Sequence, residues 1–307
     1  MLVFAEKYLA HLQTRNYSPE TIERHRLQLK KWVAFCAKQG IQGLPEVTAK
    51  HIRDFQVYMY ELRKKDGKPY HVASQNGTLE VVHCLLRWAF REELITTDPA
   101  KQIEYAKEPQ RLPRSILTTT EMRRILNAPQ TNTLLGYRDR TIMELLYSSM
   151  IRRAELNHLK LEDLDFENGV IRVNQGKGSK DRVVPMGKVA GRYLKHYIEK
   201  VRPELVQGED SGHVFLSQEG HMLSRCMVWI AVKKYASKAG IAKNVFPHCF
   251  RATGLTHMLR NGAHVRHLMG IAGHASMEAL NSYLAVEITD LKETHAKTHP
   301  RELEIGM

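Results

Sequence analysis

The sequence predicts a mainly α-helical chain with one small antiparallel β-sheet, an α+β arrangement in two domains. Three observations predict it. Apolar residues over the first hundred positions recur at helical spacing. A single pair of β-rich runs, VIRV and RVVP, flanks a glycine-rich turn. Between these regions stands KEPQRLPRSILTTTE, Lys107 to Glu121, whose Pro109 and Pro113 forbid a continuous helix. At 307 residues the chain exceeds one ordinary core and suits two. The boundaries read as a first domain over residues 1–107, a linker over 108–118 and a second domain over 119–307.

Taken in order, the first clear helix opens at Ser18-Pro19-Glu20, where serine caps, proline takes the first helical position and glutamate complements the dipole. Ile22, Leu29, Val33 and Cys36 share its face, and Gly40 stops it. Thr48 caps a second helix with Ile52, Phe55, Met59 and Leu62 on its apolar side. A third, from about Ser74 to Phe90, buries Leu79, Val82, Leu86 and Ala89, and its more polar side carries Asn76, Glu80 and Arg87. These stripes make a small bundle. Beyond the linker, a cap signal at Thr119-Thr120 opens helical stretches at 120–129 and 138–149. Val170–Val173 and Arg182–Pro185 form a hairpin with Lys177 in its QGKGSKD tip. Ser224 to Gly240 returns to helix, with Lys233, Lys234 and Lys238 along it, and from His248 helices alternate with turns, stopped by Gly262 and Gly273.

Composition bounds the function. Hydrophobic content of 43% with 26% charged residues describes a globular protein, not a disordered one. No apolar run is long enough to span a bilayer, and MLVFAEKYLAHL is broken by Glu6 and Lys7 before a signal core could form, so a cytoplasmic, nucleoid-associated protein without a membrane partner is expected. The formal charge of +13 calls for a polyanion. Cys36, Cys84, Cys226 and Cys249 are scattered without a C-x-x-C pair, and Cys36 and Cys84 fall on apolar helix faces as small core residues.

The stretch HCFRATGLTHM, His248 to Met258, concentrates the chemistry. Its histidines are too far apart to ligate one metal from one helical turn, and no zinc-type spacing occurs elsewhere, so no metal and no cofactor is expected. Cys249 and His248 are adjacent and point apart on a helix, which disfavours a thiol–imidazole pair. Other motifs converge with it: Arg152 in IRRAEL, Lys177 in GKGSKDR, His248 and Arg251 in H-x-x-R, His274 in GHAS, and Tyr283 nine residues later.

This ordered set of Arg, Lys, H-x-x-R, G-H and Tyr resembles the tyrosine recombinases, the lambda-integrase-like site-specific recombinases, over nearly the whole chain. The spacing from Lys177 to His248 is similar to that of the compact Xer-like members. The resemblance implies a two-domain DNA clamp, with a helical, SAM-like core-binding domain and a tyrosine-recombinase catalytic domain. It implies a partner, double-stranded DNA recombination sites, and an assembly, a homotetramer on DNA or a heteromer with a related recombinase. Arg152 and Arg251 would clamp the scissile phosphate, Lys177 would reach the minor groove beside it, His248 and His274 would complete the pocket, and Tyr283 would be the nucleophile. Lys180, Arg182 and Arg87 are expected as further DNA contacts, and Lys180 is an alternative acid to Lys177. The C-terminal run from Ile288 would pack through Ile288 and Leu291 into a neighbouring subunit.

Elementary chemistry agrees with these roles. An anionic phosphodiester repels nucleophiles, and two planar guanidiniums can grip its non-bridging oxygens and carry the extra charge of the transition state without a metal. A phenol with a pKa of about 10 needs proton removal to attack, and the departing 5′ oxygen needs a proton that a flexible ammonium can deliver. Two departures from the family pattern stand out. Met150 occupies the place of a glycine two residues before Arg152, and because methionine is poor at positive φ the turn is expected to be reshaped. Ile271-Ala272 replaces a bulkier pair before G-H, which is expected to loosen local packing. Two rival readings share parts of the evidence: a non-catalytic DNA-binding relative, which has no need of the six residues, and a type IB topoisomerase-like enzyme, which has no need of the C-terminal segment.

Overall fold

The computed structural model describes residues 1–101, 103–108, 116–174 and 181–273. Lys177, Lys180, His274 and Tyr283, and the C-terminal segment with Ile288 and Leu291, lie outside them. The chain divides into two compact units, Met1–Gln110 and Arg111–Met307. No helix among the described residues is long and apolar enough to cross a membrane.

The first unit packs four helices, α1 (Leu2–Thr14), α2 (Pro19–Lys38), α3 (Ala49–Glu61) and α4 (Val72–Arg91). The expected caps are present: the Ser18 hydroxyl accepts from the Thr21 amide at 3.2 Å, and Thr48 and His51 cap each other reciprocally. Trp32, Phe35 and Phe55 fill the centre with ring centroids 4.9–5.6 Å apart, and all three are almost wholly buried. Such ring pairs add about 0.5–1.5 kcal/mol each beyond the area they bury. Helix α1 was not foreseen. It has no side-chain cap at Met1, and it is held instead by burial of Ala5, Tyr8, Leu9 and Leu12, with the Tyr8 hydroxyl 3.1 Å from His25 Nδ1.

The polar side of α4 is partly used inside the unit. Asn76 donates from Nδ2 to the Ala106 carbonyl at 2.8 Å and accepts from the Ala106 amide at 3.1 Å, while the Tyr105 hydroxyl donates to Glu80. The segment leaving the bundle is thereby pinned along α4. Cys36 is fully buried as expected, whereas Cys84 is half-buried and turns its sulfur to Glu80, so it is not a pure core residue.

The second unit contains α5 (Thr119–Leu126), α6 (Leu134–Ser148), α7 (Arg153–His158), β1 (Leu164–Asp165), β2 (Val170–Val173), β3 (Arg182–Pro185), α8 (Lys188–His196), α9 (Arg225–Lys238), α10 (Pro247–Arg260) and α11 (Val265–Ala272). The cap of α5 is Thr118, one residue before the pair expected, because Glu121 then stands at the third position and its Oε2 accepts from the Thr118 amide at 2.7 Å. The two expected strands pair antiparallel, with β1 added as a third in the order β1-β2-β3. Ile171, Val173 and Val184 face the core, and the register sets Val173 opposite Arg182 at the end of the ladder where the glycine-rich stretch joins the two strands. Helix α8, also unforeseen, begins after Gly187 at φ +72° and runs on through a widened turn over Tyr197–Val201.

Helix α6 lies at the centre. It buries Ile142, Met143, Leu145 and Leu146 and carries the interior pair Arg138–Asp139. Arg138 Nη1 donates to the Leu216 carbonyl at 2.9 Å, and the Tyr235 hydroxyl donates to the far oxygen of Asp139 at 3.1 Å, which ties α9 to α6. A smaller apolar cluster of Met150, Ala252, Leu255, Leu268 and Ala272 joins α10, α11 and the turn after α6.

Candidate active site

Helix α10 buries Cys249, Phe250, Ala252 and Leu255, and the same packing draws Arg251 into the interior, where it is 1% exposed. A buried guanidinium requires acceptors on every side. Arg251 donates from Nη1 to the Met150 carbonyl and from Nη2 to the Ala272 carbonyl at 2.5 Å. His248, half-buried, sits one turn earlier on the same helix face. His257, which fits no slot of the motif set, bridges the Tyr147 hydroxyl at 2.8 Å and the Leu117 carbonyl at 2.9 Å, a structural tie.

Arg152 is the residue that caps α7. Its amide donates to Glu155 Oε2 at 2.7 Å, its Nη1 to Glu155 Oε1 at 2.8 Å and its Nη2 to the Gly273 carbonyl at 2.9 Å. Its side chain keeps 27% of its exposure, so the outer edge of the guanidinium remains open to solvent. The turn that presents it is not reshaped by Met150. Met150 adopts φ +52°, the left-handed conformation in which glycine is at home. Its side chain is 2% exposed in the small apolar cluster, and that burial offsets the backbone strain.

Arg182, at the start of β3, turns inward instead of toward a ligand. Nη1 and Nη2 fork onto the two Glu155 oxygens at 2.9 and 2.8 Å, and Nε donates to the Ile271 carbonyl at 3.1 Å. Its side chain is 12% exposed, with all three nitrogens engaged inside the protein. Burial raises the Glu155 carboxyl, but the hydrogen bonds from Arg182 and from Arg152 outweigh it and hold the pKa at about 2.

The carbonyls of Ile271, Ala272 and Gly273 therefore receive Arg182, Arg251 and Arg152 in turn. They are the last carbonyls of α11, groups without a partner inside the helix and at the negative end of its dipole, so three cations are well placed there. Gly273 closes the helix at φ +61°, and a Cβ on it would stand 3.0 Å from Arg182 Cδ and Nε. Local packing before it is tight, not loosened: Ala272 is fully buried and α10 fills the space above it.

Of the expected site residues, Arg152 and Arg251 come together at the end of α11, and His248 stands one turn before Arg251 on α10. Arg87 belongs to the first unit, exposed on α4 with Nη2 2.9 Å from His83 Nε2. The sequence reading missed Glu155, whose one visible signal is a carboxylate three residues after Arg152 in RRAEL. The guanidiniums of Arg152 and Arg251 are thus anchored on adjacent peptide carbonyls, those of Gly273 and Ala272.

Comparison with known proteins places this geometry. Residues 115–289 match the phage integrase family, and residues 5–93 match the phage integrase N-terminal SAM-like domain. A relative named tyrosine recombinase XerC 2, from Ralstonia nicotianae, is 35% identical over 98% of this chain and 86% of its own. One named tyrosine recombinase XerD, from Staphylococcus saprophyticus subsp. saprophyticus, is 33% identical over 96% of this chain and 98% of its own. In fold, a lambda integrase tetramer bound to a Holliday junction is similar at a TM-score of 0.66 and 20% identity, over 89% of this chain and 77% of that one. With two arginines converging on the end of α11 and both units matched by family domains, the chain belongs to the phage integrase family, as a tyrosine recombinase of the lambda-integrase and Xer type.

Proposed function

We propose that this protein recombines double-stranded DNA at specific sites, cleaving and rejoining strands through Tyr283. The observation that carries the reading is the convergence of Arg152 and Arg251 on the adjacent carbonyls of Ala272 and Gly273, next in sequence to His274. A guanidinium has five donors, so Arg152, held by Glu155 and the Gly273 carbonyl with its side chain 27% exposed, keeps others for a phosphate oxygen. The anchoring removes the reorganisation that would otherwise oppose transition-state stabilisation.

In the proposed reaction the Tyr283 phenol oxygen attacks phosphorus while the bond to the 5′ oxygen breaks. His248 assists removal of the phenol proton, Lys177 protonates the departing 5′ oxygen, and His274 orients a phosphate oxygen. The product is a 3′-phosphotyrosyl link and a free 5′ hydroxyl. A 5′ hydroxyl from the partner site reverses the step and joins the exchanged strands, so two such rounds pass through a Holliday junction. Bond energy is conserved in the tyrosyl ester, and no cofactor or metal enters. Residues 1–107 serve as a DNA-binding module and 119–307 as the catalytic one, with Arg87 and Lys180 as backbone contacts. A tetramer, built of this chain alone or with a related recombinase, joins two sites in the nucleoid, a reading supported by the fold's likeness to a lambda integrase tetramer bound to a Holliday junction.

The test is incubation with nicked candidate-site DNA. A protein–DNA band that survives denaturant is expected, unchanged by a chelator and abolished by Tyr283→Phe. A band that persists in Tyr283→Phe would refute the assigned nucleophile.

A further inference from the structure

Arg182 commits its side chain to the protein's own active region. Three of its donors are used, two on Glu155 and one on the Ile271 carbonyl, and its stem lies against Gly273 so closely that a Cβ there would stand 3.0 Å from its Cδ and Nε. Glu155 in turn receives the Arg152 amide and guanidinium, and Arg152 returns to the Gly273 carbonyl. The result is a closed ring: Arg182 to Glu155, Glu155 to Arg152, Arg152 to Gly273, and Gly273 back against Arg182. It joins three separate pieces of chain, the start of β3, the start of α7 and the end of α11. In sequence, β3 follows directly on the glycine-rich tip, and Gly273 directly precedes His274.

We infer that Arg182 is a positioning residue for strand cleavage, acting through Glu155 on Arg152 and through Gly273 on the end of α11. The inference rests on the recombinase reading above. With the ring closed, Arg152 is held from both sides of its guanidinium and has one orientation available. Without Arg182, Glu155 loses its bidentate partner, and the buried carboxylate draws on Arg152 alone. A guanidinium drawn toward a carboxylate is less available to a phosphate and is displaced from it. A misplacement on the order of 1 Å costs about 100-fold in rate. DNA affinity should hardly change, because each of Arg182's three nitrogens donates within the protein and its side chain is only 12% exposed.

The experiment measures single-turnover formation of the covalent complex at saturating DNA, and DNA affinity separately. Arg182→Met is expected to cleave about 100-fold more slowly with affinity within about threefold of wild type. Arg182→Lys, which keeps the charge but lacks the fork, should fall between the two. Glu155→Gln should be slow as well, and the double variant no slower than the worse single one, since both break one ring. A methylphosphonate at the scissile position supplies the readout that misfolding cannot mimic. It removes the charge that Arg152 neutralises, so the gap between wild type and Arg182→Met should narrow to below about tenfold. Three results would each overturn the inference: affinity falling in step with rate, additive losses in the double variant, or an undiminished gap on methylphosphonate. Failure of wild type to form any covalent complex would instead overturn the recombinase reading, leaving the two failures distinct.

Discussion

Met150 shows how one side chain can do the work of a missing glycine. The left-handed conformation costs a residue with a Cβ about 1–2 kcal/mol. Deleting a buried methionine side chain costs about 2–5 kcal/mol, transfer and cavity together. Met150 is 2% exposed, and its Cγ lies 2.9 Å from where a Cβ on Gly254 would stand, so its side chain fills the gap between the turn and α10. The larger effect should win. Restoring the family's glycine with Met150→Gly is expected to lower stability by about 1–3 kcal/mol, despite relieving the backbone. Thermal unfolding of the two proteins checks it, with the variant's midpoint several degrees lower. An equal or higher midpoint would mean that strain outweighs packing here. The same residue explains why the reshaped turn expected from sequence does not appear: φ preference is readable at a position, but the cavity waiting for a thioether is not.

Among the elements, α10 has the narrowest tolerance. Gly254 faces α6 so closely that an added Cβ would stand 2.6 Å from the Tyr147 carbonyl oxygen, a backbone atom that cannot rotate away. Alanine in a helix interior is ordinarily favoured over glycine by about 1 kcal/mol. Overpacking costs about 1–3 kcal/mol and should exceed that gain. Gly254→Ala is therefore expected to destabilise the second unit and to shift α10, with His248 and Arg251, away from the turn at Met150. Covalent-complex formation at saturating DNA should drop at least about tenfold while DNA binding persists, which a filter-binding assay beside the cleavage assay would register. Elements of this kind divide into those that the sequence announces and those that it conceals. Helices α2, α3 and α9 carry serine or threonine caps and clear apolar stripes, and β2 and β3 flank an unmistakable turn. Helices α1 and α8 lack side-chain caps, and their existence depends on partners far along the chain. The candidate site divides likewise: Arg152, His248 and Arg251 stand in short motifs, while the Arg182–Glu155 pair is a contact between β3 and α7 that no local spacing encodes. Asn76 and Glu80 gave the opposite lesson, since polar residues on an open-looking helix side turned out to hold residues 105 and 106 of the same unit.

For the whole molecule, charge acts at two depths. The net +13 is spread along the chain, while Arg251 is buried and Arg182 is largely withdrawn from solvent, each donating to main-chain carbonyls and Arg182 also to a carboxylate. Exposed charges that neutralise DNA phosphates release counterions, so affinity falls steeply with salt. Buried charges are screened far less. The two depths should separate in one titration. Raising salt from 50 to 200 mM should weaken binding of the Tyr283→Phe protein to site DNA by roughly 10³–10⁵-fold, as for about six to ten phosphate contacts. Wild-type cleavage, measured with DNA kept saturating at each salt concentration, should change by less than about threefold, because the groups that carry it are already anchored inside the protein. A cleavage rate that fell in parallel with affinity would mean that the reacting phosphate is gripped by surface charges, and that the guanidiniums gathered at the end of α11 serve the fold alone.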